Sequence, residues 1–321
     1  MKLNSGSLVL VSALLAISSE SFASDWGYID KQGTVVINAK FDGAKPFSEG
    51  LAPVLLGEKW GYIDRSGNVI IASEFDTAIP FHEGLAAVLK DGSWGYIKPD
   101  GSFKLKPSYA NAWPFTEGVA RVSSKQAPRN YFFIDQDGKR IISPKQNWDF
   151  NGDPTDPFSD GLAMVGVDYS YKTKYGFIDH SGAWAISSEY DGVGSFSGGL
   201  APFWKGGLVG YFDHQAQPVI PPIYHYGHNF SEGLALVQNS KGKWEFIDIR
   251  GNVIFSIDGD GYGLWPAPGI DYLNWGFSEG LAPVYLSDQW VFVDKTGKTV
   301  IDGSYSSLLP FSEGLAPVEF K

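Results

Sequence analysis

The chain contains no cysteine and only two methionines. Without thiols there is no disulfide framework, no thiolate metal centre, no cysteine nucleophile and no lipid-modified cysteine, so stability has to come from burial. Basic residues are scarce too: 25 Lys and Arg stand against 36 Asp and Glu, a net charge of −11. That balance repels phosphate backbones and anionic headgroups, and no basic stripe offsets it, so nucleic acid is not an expected partner. Long apolar runs are missing as well. The run Leu8 to Ile17 is about half of the roughly 20 residues a helix needs to cross a bilayer, and no later run matches it, so no membrane insertion is expected. No segment has convincing helical periodicity.

The one apolar run has another reading. Lys2 precedes it, and Ser21-Phe22-Ala23 offers small residues at the two positions a signal peptidase reads. Residues 1–23 are therefore expected to be a signal peptide, with export to the periplasm or the extracellular space, and residues 24–321 to form a single domain. What is plentiful is glycine, with 39 residues, and aromatics, with 11 Trp, 16 Tyr and 22 Phe. That composition suits short strands and tight turns.

Two motifs recur in fixed order. Trp26, Trp60, Trp94, Tyr131, Tyr175, Val209, Trp244 and Trp290 each open a segment like WGYID; Phe47, Phe81, Phe115, Phe158, Phe196, Phe230, Phe277 and Phe311 each open one like FSEGLA. The spacing gives eight units of about 34 residues, a period at which units bury their apolar faces by stacking on neighbours. In the first unit Trp26 to Ile29 reads as a strand, Asp30 to Gly33 as a tight turn and Thr34 to Ile37 as the returning strand. Ser48-Glu49-Gly50 then turns into a third strand, Leu51 to Leu56. Each unit is thus a three-stranded meander, or a four-stranded one if the link from Phe41 to Phe47 pairs. Both faces alternate apolar residues, so each meander is expected to lie between two others, with the Gly of WG making room for a neighbour's ring.

The expected fold is all-β: eight stacked meander repeats, either a closed propeller-like ring or an open β superhelix. A ring is suggested because the first WGYID lacks a preceding LAPV strand and Leu315 to Phe320 lacks a following WGYID.

Trp26-Gly27-Tyr28-Ile29-Asp30, Trp60-Gly61-Tyr62-Ile63-Asp64 and Trp94-Gly95-Tyr96-Ile97, each with its PF-EGLA partner, resemble the WG-repeat family, also called KWG repeats. The resemblance implies a bacterial β-repeat protein, often exported, with a role in binding or interaction and no catalytic residue set. The pair departs from WG at Tyr131-Phe132, Tyr175-Gly176, Val209-Gly210, Trp244-Glu245 and Trp290-Val291, and Lys98 replaces the motif's Asp.

Repeated acids are first read as turn formers. Glu49, Glu83, Glu117, Asp160, Glu232, Glu279 and Glu313 would each accept N–H bonds in their own turn, with Gly198 breaking the series; Asp30, Asp64, Asp135, Asp179, Asp213, Asp248 and Asp294 would do the same at the hairpins. His225 and His228, beside Tyr224 and Tyr226, are too few for a metal, and no cofactor is expected. Asp149, Asn151, Asp153 and Asp160 have the oxygen spacing of a calcium loop, but Pro154 stands where its glycine belongs. No nucleophile elbow, HExxH or phosphate-binding loop occurs.

Units four and seven carry extra residues between Ile142 and Phe158 and between Phe255 and Phe277, in the same connection of the unit. The candidate ligand-binding residues lie there: Trp148, Asp149, Asp153 and Asp156 in one insertion, Tyr262, Trp265, Tyr272 and Trp275 in the other. Aromatic faces beside carboxylates suit a protein or glycan partner. The sequence therefore predicts a non-enzymatic, exported binding scaffold. The alternatives are a glycan-binding protein or cell-wall polysaccharide hydrolase using insertion carboxylates such as Asp153 and Asp258, and an inert structural envelope protein.

Overall fold

A computed structural model describes residues 25–143, 148–149, 158–169, 172–257, 276–286 and 288–321. Every regular element among them is a strand. The strands form small antiparallel sheets: five of four strands, one of three, and one of seven, in which Phe103–Ala112 serves two successive meanders. The architecture is propeller-like.

One sheet stands for the pattern. Gly43–Ala44 pairs with Ala52–Leu56, which pairs with Lys59–Ile63, which pairs with Val69–Phe75. The link between Phe41 and Phe47 does pair, so the meander is four-stranded. Burial orders the strands. Gly43–Ala44 is buried throughout, whereas Val69–Phe75 has four exposed positions, so the short strand is innermost and the strand after WGYID outermost. The sequence period is offset from the sheet, because the LAPV strand of one unit pairs with the WGYID strand of the next.

The same offset joins the two ends of the described chain. Trp26–Asp30 pairs with Leu315–Phe320 from Trp26 opposite Glu319 to Asp30 opposite Leu315, and Val35–Phe41 and Tyr305–Leu308 flank them in one sheet.

The two motif keys meet between adjacent sheets. The aromatic ring two places after each motif's opening residue packs on the Phe of FSEGLA in all eight cases: Tyr28 on Phe47 at 4.9 Å, Tyr62 on Phe81 at 5.0 Å, Phe133 on Phe158 at 5.5 Å, Phe292 on Phe311 at 4.7 Å, and the others within that span. The eight Phe residues are at most 1% exposed. Full burial of such a ring contributes roughly 1.5–3 kcal/mol, and a tilted pair adds about 0.5–1.5 kcal/mol. Where the motif has Tyr, its hydroxyl also crosses the interface. Tyr28, Tyr62, Tyr96 and Tyr211 donate to the carbonyls of Lys45, Ile79, Trp113 and His228 at 2.8–2.9 Å.

The glycine of WG has a different task from the one expected. A Cβ on Gly27 would lie 2.5 Å from the Ile37 carbonyl oxygen, and one on Gly61, Gly95, Gly176 or Gly210 would meet the corresponding oxygen at 2.5–2.7 Å. The obstacle is backbone of the same sheet, not a neighbour's ring. Trp26 faces Phe41 while Tyr28 faces Ile37, so residues 38–40 bulge over Gly27 and press the outer strand against it.

Candidate functional site

Eight tight turns, seven of them carrying the repeated acids, run from Ser48–Leu51 to Ser312–Leu315, each closed by a reciprocal backbone pair such as Ser48 N–H to Leu51 O at 2.9 Å and the return bond at 3.2 Å. Both central residues have positive φ, 54° at Glu49 and 82° at Gly50, as two-residue hairpin loops require. Glu is an unusual choice there, costing about 1–2 kcal/mol against glycine. The reason lies in the neighbouring sheet. Glu49 accepts from the N–H of Gly84, Glu83 from Gly118, Glu117 from Gly161, Asp160 from Gly199, Glu232 from Gly280, Glu279 from Gly314 and Glu313 from Gly50, all at 2.9–3.3 Å. The expectation that each acid serves its own turn is thus corrected: the acid reaches into the next turn and latches two sheets together. A hydroxyl latch often runs beside it, with Ser48, Ser159, Ser231, Ser278 and Ser312 donating to the carbonyls of Phe81, Phe196, Phe277, Phe311 and Phe47 at 2.5–2.6 Å.

Basic side chains join the latches. Lys31 lies 2.9 Å from Glu279, Lys295 3.1 Å from Glu232, and His180 Nε2 3.4 Å from Glu117. Burial pushes the Glu232 carboxyl up, but Lys295 and the Gly280 N–H outweigh it, leaving the group below the usual carboxylate range. The hairpin acids do serve their own turns. Asp64 accepts from the N–H groups of Ser66 and Asn68 at 2.9 Å and from the Asn68 amide at 3.0 Å, and the amide bond above all lowers its pKa.

The two neighbouring histidines part company. His225 is exposed, whereas His228 is half-buried, and the desolvation of its ring holds the imidazole below the ordinary histidine value. Tyr224 belongs to the core, and Tyr226, 49% exposed, stacks on Trp244 at 6.2 Å. Among the described residues no group of three His, Asp or Glu is placed to hold a metal ion.

Of the predicted ligand-binding residues, Trp148–Asp149 forms an innermost strand paired with Val167 and Gly166. Asp153, Asp156, Tyr262, Trp265, Tyr272 and Trp275 lie outside the described residues, as do Asp258 and the calcium-spacing residues Asn151 and Pro154. Residues 1–23 lie outside them too. The strand nevertheless refines the first insertion: most of its extra length falls after the innermost strand, between Asp149 and Phe158.

One cluster was not expected from sequence. Arg121 is 3% exposed, with its guanidinium carbon 4.2 Å from the centre of the Trp113 ring and 5.7 Å from that of Tyr131. Its signal was available, since Arg121 stands where other units have Pro53, Ala87, Pro202, Pro283 or Pro317. The cluster shares a sheet with Arg140–Ile142, the strand that leads into the first insertion.

These sheets, their repeated joints and their offset period define a propeller-like β-repeat scaffold. The chain belongs to the WG containing repeat family, which matches residues 26–60, 60–94, 94–125, 175–208, 210–244 and 292–321. No curated protein matches it. Among solved structures it is similar to the computationally designed Ika8 protein, at 14% identity over 87% of this chain and 95% of that one, with a TM-score of 0.53. It also resembles AztD from Citrobacter koseri in its apo form, at 12% identity over 93% and 100% of the two chains with a TM-score of 0.48. BamB from Moraxella catarrhalis is 11% identical over 91% and 90%, with a TM-score of 0.46. At 14% identity the likeness to Ika8 concerns the fold alone. Among the described residues no helix is long and apolar enough to cross a membrane.

Proposed function

We propose that this protein is an exported, non-enzymatic interaction scaffold, a closed ring of eight units that presents the insertions of units four and seven to a protein or glycan partner. The observation that carries the reading is how the recurring chemistry is used. Seven of the eight acidic positions, the motif aromatics and the turn hydroxyls are committed to holding one sheet against the next. Repetition is therefore frame, and recognition falls to the residues that depart from it.

Closure is supported by the joint between Trp26–Asp30 and Leu315–Phe320, and by the Glu313 and Ser312 latches onto Gly50 and Phe47. A ring leaves no LAPV or WGYID strand as an unpaired edge. The placement of Trp148–Asp149 on an innermost strand supports a binding surface opening from the centre of the scaffold. The features of residues 1–23 support export to the periplasm or beyond the cell.

Binding is tested by pull-down from envelope extracts and on a glycan array, with the mature chain and its Trp148→Ala, Trp265→Ala and Trp275→Ala variants. A partner retained by the parent and lost by these variants is the expected result. Binding that survives all three substitutions removes the insertions from the recognition surface.

A further inference from the structure

We propose that the scaffold has one built-in opening joint, between the turns Ser197–Leu200 and Ser231–Leu234, and that this joint, not the one between the terminal strands, is where the ring breathes. Every other pair of successive turns is latched by an acid. Here Gly198 supplies none. The cation position following the hairpin acid is also lost, because Ile249 stands where Lys31 and Lys295 reach their neighbours' acids, and it is 48% exposed. Ser197, unlike its five counterparts, makes no bond to the next Phe carbonyl among the described contacts.

A second measure agrees. In every joint but the one formed by the Ala216 hairpin, the hairpin glycine of one sheet packs on the outer strand of its neighbour. Built Cβ positions at Gly33, Gly67, Gly101, Gly138, Gly182 and Gly297 lie 2.6–3.3 Å from that strand's side chains, against 3.6 Å for Gly251 on Ile220. The loosest of the seven glycine contacts and the missing latches thus share one interface. What still holds it is Tyr211 donating to the His228 carbonyl at 2.8 Å and the apolar cluster of Leu200, Tyr211 and Phe230. The free energy for separating these faces is accordingly the lowest in the ring, and local opening is governed by such differences.

The absence of cysteine makes the test direct. Leu51, Leu200 and Leu281 occupy equivalent positions at three joints and are 8%, 7% and 7% exposed. Single-cysteine variants Leu51→Cys, Leu200→Cys and Leu281→Cys of the full mature chain are labelled with a maleimide under native conditions. Leu200→Cys is expected to react about tenfold faster than the other two, and adding Gly198→Glu with Ile249→Lys, which restores acid and cation, is expected to remove that excess; a factor of ten corresponds to about 1.4 kcal/mol. Equal rates at the three sites, or an excess that survives the restored latch, overturn the proposal. Amide exchange at Leu51, Leu200 and Leu281 in the unmodified chain gives the same comparison without substitution. The inference rests on the closed-ring reading, whose own failure is separately visible: Ile29→Cys, at the joint of the terminal strands, would then label fastest of all.

Discussion

Two kinds of outer strand coexist in this molecule. Beside Gly27, Gly61, Gly176 and Gly210 the outer strand is seven residues long and bulges over the glycine: Val35–Phe41, Val69–Phe75, Trp184–Tyr190 and Pro218–Tyr224. Where Phe132, Glu245 or Val291 replaces the glycine, the strand shortens to Arg140–Ile142, Val253–Ile257 or Thr299–Asp302. Glu245 and Val291 face Ser256 and Asp302 in an ordinary ladder. Two of these three short strands lead directly into the insertions. Loss of the glycine therefore goes with loss of the long bulged strand, and in two of the three cases the shortened strand is followed by extra sequence. The interface tyrosine follows the same division: it occurs only after a motif glycine, and Gly176-Phe177 is the single glycine unit without it.

The most forceful way to break this comparison is a side chain at a bulge. Gly61→Val places a Cβ about where the Ile71 carbonyl oxygen already sits, 2.6 Å away, and is expected to cost about 3 kcal/mol or more in chemical denaturation. Glu245→Gly, in a regular ladder, should lose only about 0.5–1 kcal/mol, the entropic cost of glycine in a strand. Equal losses would show that the bulge does not depend on the glycine. Next in size is the hydroxyl bond. Tyr62→Phe leaves the Ile79 carbonyl without its donor and is expected to lower stability by about 1–2 kcal/mol, whereas Tyr226→Phe at an exposed ring should change it hardly at all.

A smaller effect, of opposite sign, is expected at residue 216. Ala216 holds φ at 57° where the other hairpins use glycine, so Ala216→Gly should raise the midpoint of thermal unfolding by the equivalent of about 1 kcal/mol. The weakest effect should be indifferent to the two strand classes. Asp64 in a bulged unit and Asp248 in an unbulged one both lie below the usual carboxylate range, each chiefly through an amide bond from Asn68 or Asn252. A folded pKa below the unfolded one adds stability that is complete above the unfolded value, near pH 4, and is lost as pH falls through the folded value. Asn68→Ala and Asn252→Ala should each reduce the acid-induced drop in melting temperature between pH 5 and 2.5 by similar small amounts; a marked difference would tie the hairpin acids to strand class.

Much of the frame could be read from residue order alone. Eight aromatic pairs and eight turns follow from two motifs at a fixed spacing, and the complementary ends announced the pairing of Trp26–Asp30 with Leu315–Phe320. Partners one unit away were harder to see. Glu49 looks like any turn acid until its reach to Gly84 is measured, because a carboxylate in a hairpin loop gives no sign of which sheet supplies its donor. The role of Gly27 was misassigned for a related reason, since a bulge in the returning strand leaves no residue signature beyond the glycine itself. Arg121 could have been noticed as a lone charge at a Pro or Ala position. The insertions were located by length, and the strand Trp148–Asp149 then fixed where the extra residues of the first one enter.

The half-step between sequence period and sheet has a consequence for how such a gene can change. A duplication or deletion that starts at any point of one unit and ends at the same point of another leaves one terminus still carrying a WGYID strand and the other still carrying its LAPV mate. The ends remain complementary whatever the number of copies between them. Pairing of the ends is in this sense independent of copy number, which can drift by whole units without stranding either strand of the pair Trp26–Asp30 and Leu315–Phe320.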